Sequence, residues 1–477
     1  MVTYRNIVDG TRLAAGGLHD FATGLVNPTV RLGVTGLSRS GKTVFITALV
    51  NALLKGARLP AFEAHARGRI TRCYLEPQPD DDLPRFPYEE NIRTLIKERK
   101  WPEGTRRISQ LRITMEYEPQ GLIARNLYGG KLHIDIVDYP GEWLLDLPLM
   151  RMTYAEWSTA TMAAARRAPR KGLSKEFLAN ASSLKPDTPA SESAARDAAQ
   201  SFTAYLARCR ENDVSLSTLP PGRFLMPGDL ESSPLLSFAP LDIAADAAIA
   251  AGSLASLMAR RYDSYVAKVV RPFFFGHFAR LDRQIVLVDA MTALNAGPDA
   301  VSDLQQALAD VLQSFHIGAN SILSALFGRR IDRILFAATK ADFLNHHDHD
   351  RLEAILREIV TQAAARADFA GADYGVSAIS AIRATREARV TQKGDELLCI
   401  AGTPETGETI AGKHFDGETE AAIFPGDLPA ETAAAWNGSL AGKLRFVRFR
   451  PPAMAEGQFP HIRLDRAMEF LLGDCFP

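Results

Sequence analysis

The sequence predicts an α/β fold, with a mostly parallel sheet flanked by helices, a large α-helical insertion and a small C-terminal β/α unit. Three observations lead there. Short apolar strands alternate with helical patterns along much of the chain, as in a parallel sheet with crossover helices. The first of these strands runs into a glycine-bounded turn and then a helix. From Glu142 to Asp282 the strand signal disappears, replaced by sequence rich in Ala, Leu, Arg and Glu.

Thr29–Thr35 (TVRLGVT) alternates Val30, Leu32 and Val34 and leads to a helix through Val44–Lys55. Ile108–Glu118 and Lys131–Val137 read as two strands joined near Gly129-Gly130, a hairpin signal. Arg283–Asp289, Arg333–Thr339 and Tyr374–Ile379 supply three more strands, separated by helical stretches at Ala300–Phe327 and Arg351–Ala367. Within the insertion, Ser182–Ser193 is polar, and Pro220, Pro221, Pro227, Pro234 and Pro240 break any single helix. Past Arg386 come β-like pieces at Ala388–Thr391, Glu396–Ile400 and Leu444–Arg450, then an amphipathic helix at Leu464–Leu472.

Composition mainly excludes. A chain of 477 residues is long enough for several structural units. Lys plus Arg number 55 against 56 for Asp plus Glu, so a polyelectrolyte surface and a nucleic-acid partner are not expected. Cys73, Cys209, Cys399 and Cys475 are scattered, which fits reduced thiols in a cytoplasmic protein rather than a zinc site or disulfide framework. The N-terminus lacks the apolar core of a signal peptide, and no run reaches the roughly 18 apolar residues of a membrane span. The nearest candidate, Ile243–Ala259, is interrupted by Asp246, Gly252, Ser253 and Ser256 and reads as a packed helix.

The chemistry is concentrated at strand ends. Gly36-Leu37-Ser38-Arg39-Ser40-Gly41-Lys42-Thr43 satisfies G-x-x-x-x-G-K-[ST], with a strand before it and a helix, opening at Val44, after it. The two glycines let successive backbone N–H groups turn towards a phosphate, and the helix presents its positive end to the same oxygens. Lys42 is expected to reach the β- and γ-phosphates, and Thr43 to place its hydroxyl on Mg²⁺. Arg39 offers a charge clamp, with solvent exposure as the plainer reading. A chance glycine turn before a helix is the plain alternative for the whole motif.

Asp138-Tyr139-Pro140-Gly141 follows the Lys131–Val137 strand as D-x-x-G. Asp138 is placed to hold a water on Mg²⁺, and the Gly141 N–H to approach the γ-phosphate, although a simple Asp-Pro-Gly turn explains the string equally well. Thr339-Lys340-Ala341-Asp342 matches the T/N-K-x-D pattern, in which the carboxylate accepts from guanine N1–H and N2–H₂; adenine lacks that donor pair. Thr stands where Asn is commoner, and an exposed strand end is the alternative. Ser380-Ala381-Ile382 resembles the short S-A motif whose backbone meets the guanine O6, with Ser377-Ala378 a competing register.

Glu142 stands where a water-orienting Gln often follows D-x-x-G. It is the candidate that orients or deprotonates the attacking water, and capping of a helix at Trp143–Met150 is the alternative. A switch threonine for Mg²⁺ must come from the segment before Ile108, where Thr71, Thr94 and Thr105 are equivalent by context. His346-His347-Asp348-His349-Asp350 has consecutive spacing, poor for one metal, and reads as a solvated helix start. Asp80-Asp81-Asp82 reads as an exposed loop, and the cationic stretch Arg166–Lys175 as a solvated helix end.

The strings Val34–Leu49 (VTGLSRSGKTVFITAL), Asp138–Leu147 (DYPGEWLLDL) and Thr339–Asp342 (TKAD) resemble those of the YcjX-like family of Ras-like P-loop GTPases. The resemblance covers most of the chain and implies a bacterial, stress-associated protein that binds a nucleotide in a Ras-like domain. On this reading residues 28–141 and 283–385 form the P-loop GTPase domain, 1–27 an N-terminal helical segment, 142–282 the helical insertion and 386–477 the C-terminal unit. The expected ligands are GTP or GDP with Mg²⁺, and the expected partner is a protein effector, which could sit at a membrane. Slow GTP hydrolysis through Lys42 and Glu142 is the expected activity. An ATP-hydrolysing P-loop enzyme and a non-enzymatic scaffold with a structural nucleotide are the competing readings.

Overall fold

The computed structural model describes residues 28–36, 40–105, 107–120, 130–168, 170–211, 220–317, 331–366, 372–392, 394–410, 412–432, 438, 440–457 and 459–476. Its centre is a seven-stranded sheet in the order β2-β3-β4-β1-β5-β6-β7. The strands are β1 (Thr29–Gly36), β2 (Ile70–Glu76), β3 (Ser109–Tyr117), β4 (Lys131–Asp138), β5 (Arg283–Val288), β6 (Arg333–Ala338) and β7 (Asp373–Ala378). From β4 through β1, β5 and β6 to β7 the pairing is parallel, whereas β2–β3 and β3–β4 are antiparallel. The expected α/β class is therefore the observed one. Strand β2 lies in a segment where sequence reading placed no strand.

The sheet is covered on both faces. Ile285, Leu287, Leu335 and Ala337 pack with the Lys42–Lys55 helix and the Leu464–Leu472 helix. Val286, Val288, Ile334, Phe336 and Ala338 pack with helices Pro298–Ile317 and His346–Arg366. Alternate residues of one strand thus enter opposite cores, as the two-residue period requires. For β1 this changes the simple alternation read from sequence: Arg31, Gly33 and Thr35 are buried along with Val30, Leu32 and Val34. Gly33 is needed there, because a Cβ would sit 2.5 Å from Leu281 Cδ1 and 2.4 Å from Gln284 Oε1.

Between β4 and β5 the described residues carry no named strand. A 3₁₀ segment (Gly141–Arg151) is followed by helices Tyr154–Arg166, Lys175–Ser183, Glu192–Glu211, Leu254–Tyr265 and Arg271–Gly276. Their apolar faces make a separate, aromatic-rich core that includes Trp157, Phe202, Phe238, Tyr262 and Tyr265. On Glu192–Glu211, Ala195, Ala198, Ala199, Phe202, Tyr205, Leu206 and Cys209 are buried at helical spacing. The helix expected over Ile243–Ala259 starts only at Leu254, where the Ser253 hydroxyl caps it by accepting from Ser256 N–H.

Past β7, β8 (Arg386–Gln392), β9 (Asp395–Gly402) and β12 (Ala421–Ile423) form a three-stranded antiparallel sheet in the order β12-β9-β8, beside the short pair β10 (Thr409–Ile410) and β11 (Lys413–His414). Leu444–Arg450, expected to be β-like, forms no named strand and contributes one bridge, Phe449 to Pro404. The expected helix Ala300–Phe327 is seen as Pro298–Ile317, and 318–330 lie outside the described residues. So do 1–27, Gly129, Ser38 and Arg39. Among the described residues no helix is long and apolar enough to cross a membrane.

Candidate functional site

One cavity of about 1960 Å³ runs along the carboxyl ends of the parallel strands. At one end are Gly36, Gly41, Lys42, Thr43 and Gly141; at the other are Lys340, Asp342 and Ser380–Ile382; Ser40, Val44 and Thr339 also line it. Open parallel sheets place ligands in this position because the strand ends are followed by loops and helix N-termini.

The phosphate end depends on three glycines. Gly41 has φ 81°, a left-handed conformation before the Lys42–Lys55 helix, and its carbonyl accepts from Phe45 N–H at 2.9 Å. A Cβ at Gly36 would lie 1.9 Å from Ser40 Oγ. A Cβ at Gly141 would lie 1.9 Å from the Gly36 carbonyl oxygen, so these two loops meet backbone to backbone.

Four side chains converge between them. Lys42 Nζ donates to Asp138 Oδ1, a buried ion pair. Thr105 Oγ1 donates to Asp138 Oδ2 at 2.7 Å, and the Thr43 and Thr105 hydroxyls are 3.4 Å apart. Thr105 is thereby distinguished from Thr71, whose hydroxyl donates to Glu116 O on β3, and from Thr94, in the Thr94–Glu98 turn of π-helix. Two hydroxyls and a carboxylate are hard oxygen donors of the kind Mg²⁺ takes alongside water and phosphate oxygens, so the residues present fit that ion.

At the base end, Asp342 is 4% exposed and its Oδ2 accepts from Ala384 N–H at 2.9 Å. Burial pushes its carboxyl above the usual range, opposed by the Ala384 N–H and the Ser380 hydroxyl. The Ser380 hydroxyl donates to the Ile382 carbonyl at 2.9 Å, and Ser380, Ala381 and Ile382 line the cavity, whereas Ser377-Ala378 lies within β7. Lys340 sits at φ 61°, and its Nζ donates to Asp289 Oδ2 at 2.5 Å. Asp289, at the end of β5, was not singled out by sequence; only its strand-end position could have marked it. The Thr339 hydroxyl turns to the Val288 carbonyl at 3.4 Å.

The alternative role for Glu142, capping a helix at Trp143–Met150, is not seen: the segment is 3₁₀, with no side-chain cap bond. Glu142 instead lines the cavity, with Oε1 3.6 Å from Arg210 Nη2 of the insertion. The following residues are gripped by the same insertion. Gly222 N–H donates to Asp146 Oδ1 at 2.6 Å, Tyr265 OH donates to Asp146 Oδ2 at 2.5 Å, and the Arg223 guanidinium carbon lies 3.2 Å from the Trp143 ring centre. None of these insertion residues carries a motif, and local spacing gives no signal for them.

The histidine run forms no single cluster. His346 Nδ1 is 2.8 Å from Glu387 Oε2, and Asp348 accepts from Arg351 at 2.8 Å. In the cationic stretch, Arg166 pairs with Asp242 and Arg170 with Asp303.

Comparison with known proteins gives the family. The model of the YcjX-like family, DUF463, matches residues 30–476. The chain is 36% identical over 463 residues to the Ras-like GTPase YcjX of Escherichia coli, covering 94% of this chain and 96% of that protein. It is 34% identical over 473 residues to the Ras-like GTPase YcjX of Shewanella oneidensis, covering 93% and 94% respectively.

Proposed function

The chain belongs to the YcjX-like family, and on that premise we propose that it is a Ras-like GTP-binding protein that binds GTP and GDP with Mg²⁺ and hydrolyses GTP slowly. The observation that carries the reading is one cavity lined by Lys42, Thr43 and Thr105 at one end, with Asp138 bonded to Lys42 and Thr105 behind them, and by Asp342 at the other. In this role it would act as a molecular switch with a protein effector; the link to stress rests on the family resemblance alone.

Each residue has a task that follows from its chemistry. Backbone N–H groups around Gly41 and at Gly141 point at phosphate oxygens, and Lys42 leaves Asp138 to meet the β- and γ-phosphates. Thr43, Thr105 and, through water, Asp138 would hold Mg²⁺, which supplies neutralisation of phosphate charge when bound. Asp342 accepts from the guanine N1–H and N2–H₂ edge, donors that a buried carboxylate needs. Glu142 orients a water in line with the γ-phosphorus. The water oxygen bonds to phosphorus as the bond to the β–γ bridging oxygen breaks; GDP leaves with that electron pair, and the water proton passes to Glu142 and on to the phosphate released.

Competition binding of GTP against ATP tests the reading. GTP is expected to win, with Asp342→Ala losing roughly 10-fold or more of that preference, the size of a lost charged hydrogen bond. ATP preference in the wild type, or retention of GDP without any turnover, overturns it in favour of an ATPase or a scaffold.

A further inference from the structure

We propose that Arg210 of the helical insertion is a positioning residue for Glu142, aiming its carboxylate at the hydrolytic water and supplying the positive charge that makes a carboxylate tolerable beside the γ-phosphate. The proposal rests on the GTP-hydrolysis reading above.

The difficulty it resolves is electrostatic. A Glu directly after D-x-x-G brings a negative group towards the phosphate whose own negative charge it must approach. A neutral Gln would avoid the conflict, so the carboxylate needs a counter-charge that does not come from the phosphate-binding lysine. Lys42 is engaged in either state, paired with Asp138 in this structure and turned to the phosphates when nucleotide is bound. Among the described residues, Arg210 is the cation that pairs with Glu142, at 3.6 Å, and both side chains line the cavity that contains Gly36 and Gly141. Their exposures, 35% for Arg210 and 15% for Glu142, leave the pair partly shielded from water yet open to the site.

The rest of the insertion removes the other freedoms of Glu142. Its carbonyl oxygen would be 2.2 Å from a Cβ at position 222, so the Gly222 backbone lies directly against it. Four residues further on, the Gly222 N–H and the Tyr265 hydroxyl hold Asp146, while Arg223 covers Trp143, the residue next to Glu142. With the main chain fixed on both sides, what remains is rotation of the Glu142 side chain. Arg210 limits that rotation, and its own guanidinium is held on the far side by Nη1 donating to Met226 Sδ at 3.3 Å. A planar guanidinium can keep one nitrogen on Met226 and another on the carboxylate, which an ammonium cannot do as well.

The test is single-turnover GTP hydrolysis and GTP affinity, measured on the full-length chain as wild type, Arg210→Ala, Arg210→Lys, Glu142→Gln and the double variant Arg210→Ala/Glu142→Gln. Arg210→Ala is expected to slow hydrolysis roughly 10- to 100-fold, part of what a positioned acid–base group contributes, with GTP affinity changed less than about 2-fold. Arg210→Lys should recover part of the rate. In the Glu142→Gln background, removal of Arg210 should cost less than about 2-fold, because residues acting as a unit are non-additive. Wild-type turnover by Arg210→Ala, or losses that multiply in the double variant, overturns the proposal. If Arg210→Ala fails to fold, Arg210→Gln takes its place in the same comparison. A wild type that binds GTP without hydrolysing it overturns the hydrolysis reading and this proposal together, so the two failures are distinguishable.

Discussion

At position 222, a hydrogen in place of a methyl group decides whether the insertion can close against the loop that follows β4. A Cβ there would meet the Glu142 carbonyl oxygen at 2.2 Å and its carbonyl carbon at 2.6 Å. Both atoms belong to backbone, which cannot swing away as a side chain would. Gly222→Ala is therefore expected to destabilise the protein by about 1–3 kcal/mol, the usual cost of overpacking, and to slow hydrolysis by displacing Glu142. Calorimetric melting with a parallel GTPase assay measures both; an unchanged melting temperature would show that the contact relaxes without cost. The same scale shows what sequence could deliver. Gly41, Lys42 and Thr43 were legible because the phosphate loop is local, its chemistry written within eight consecutive residues. Thr105 was not, since it earns its place by meeting Thr43 across 62 positions. Context left it level with Thr71 and Thr94.

Among the elements, the 3₁₀ segment Gly141–Arg151 carries the largest share of what sequence did not reveal. It was expected as a helix beginning beyond Glu142, but Pro148 lies inside it and its geometry follows the insertion that grips it. Asp146 is the clearest marker of that grip. Burial pushes its carboxyl up to about 6 from 3.8, opposed by the Tyr265 hydroxyl, the Gly222 N–H and the charge of Arg223. Between about pH 3.8 and about 6 the folded state therefore holds a proton that the unfolded state has released. Stability contributed by this group is full at the acid end of that window and falls as pH rises through the folded value. Asp146→Asn should flatten that slope, read from urea midpoints on either side of the window. An undiminished slope would place the titration elsewhere. Strand β2 escaped sequence reading for a related reason. It is an edge strand with a burial pattern of intermediate and exposed residues, so it lacks the apolar pattern that announced the other six strands.

For the whole molecule, the cavity is where all three parts of the chain meet, and that determines how nucleotide should act on stability. Besides the strand ends and the insertion, the C-terminal unit reaches it. Trp101, four residues before Thr105, donates through Nε1 to Phe449 O at 2.6 Å, and Phe343, next to Asp342, packs edge-on to Phe449 at 5.6 Å. Arg99 Nε adds a bond to Pro451 O at 3.2 Å. A chain with four hydrophobic clusters among its described residues has no reason to unfold in one step by itself. A ligand held by residues from each part binds only when all of them are in place, so it stabilises them jointly. Saturating GTP with Mg²⁺, at about 100 times its Kd, is expected to add about 2.7 kcal/mol and to draw the separate thermal transitions together. Lys42→Ala should lose both effects, because on the proposed reading its cation meets the phosphates, while a net charge of −1 offers no general attraction that could replace it. Scanning calorimetry with and without nucleotide reads the outcome directly. A shift confined to one transition, with the others unmoved, would mean that the insertion and C-terminal unit line the cavity without being held by its ligand.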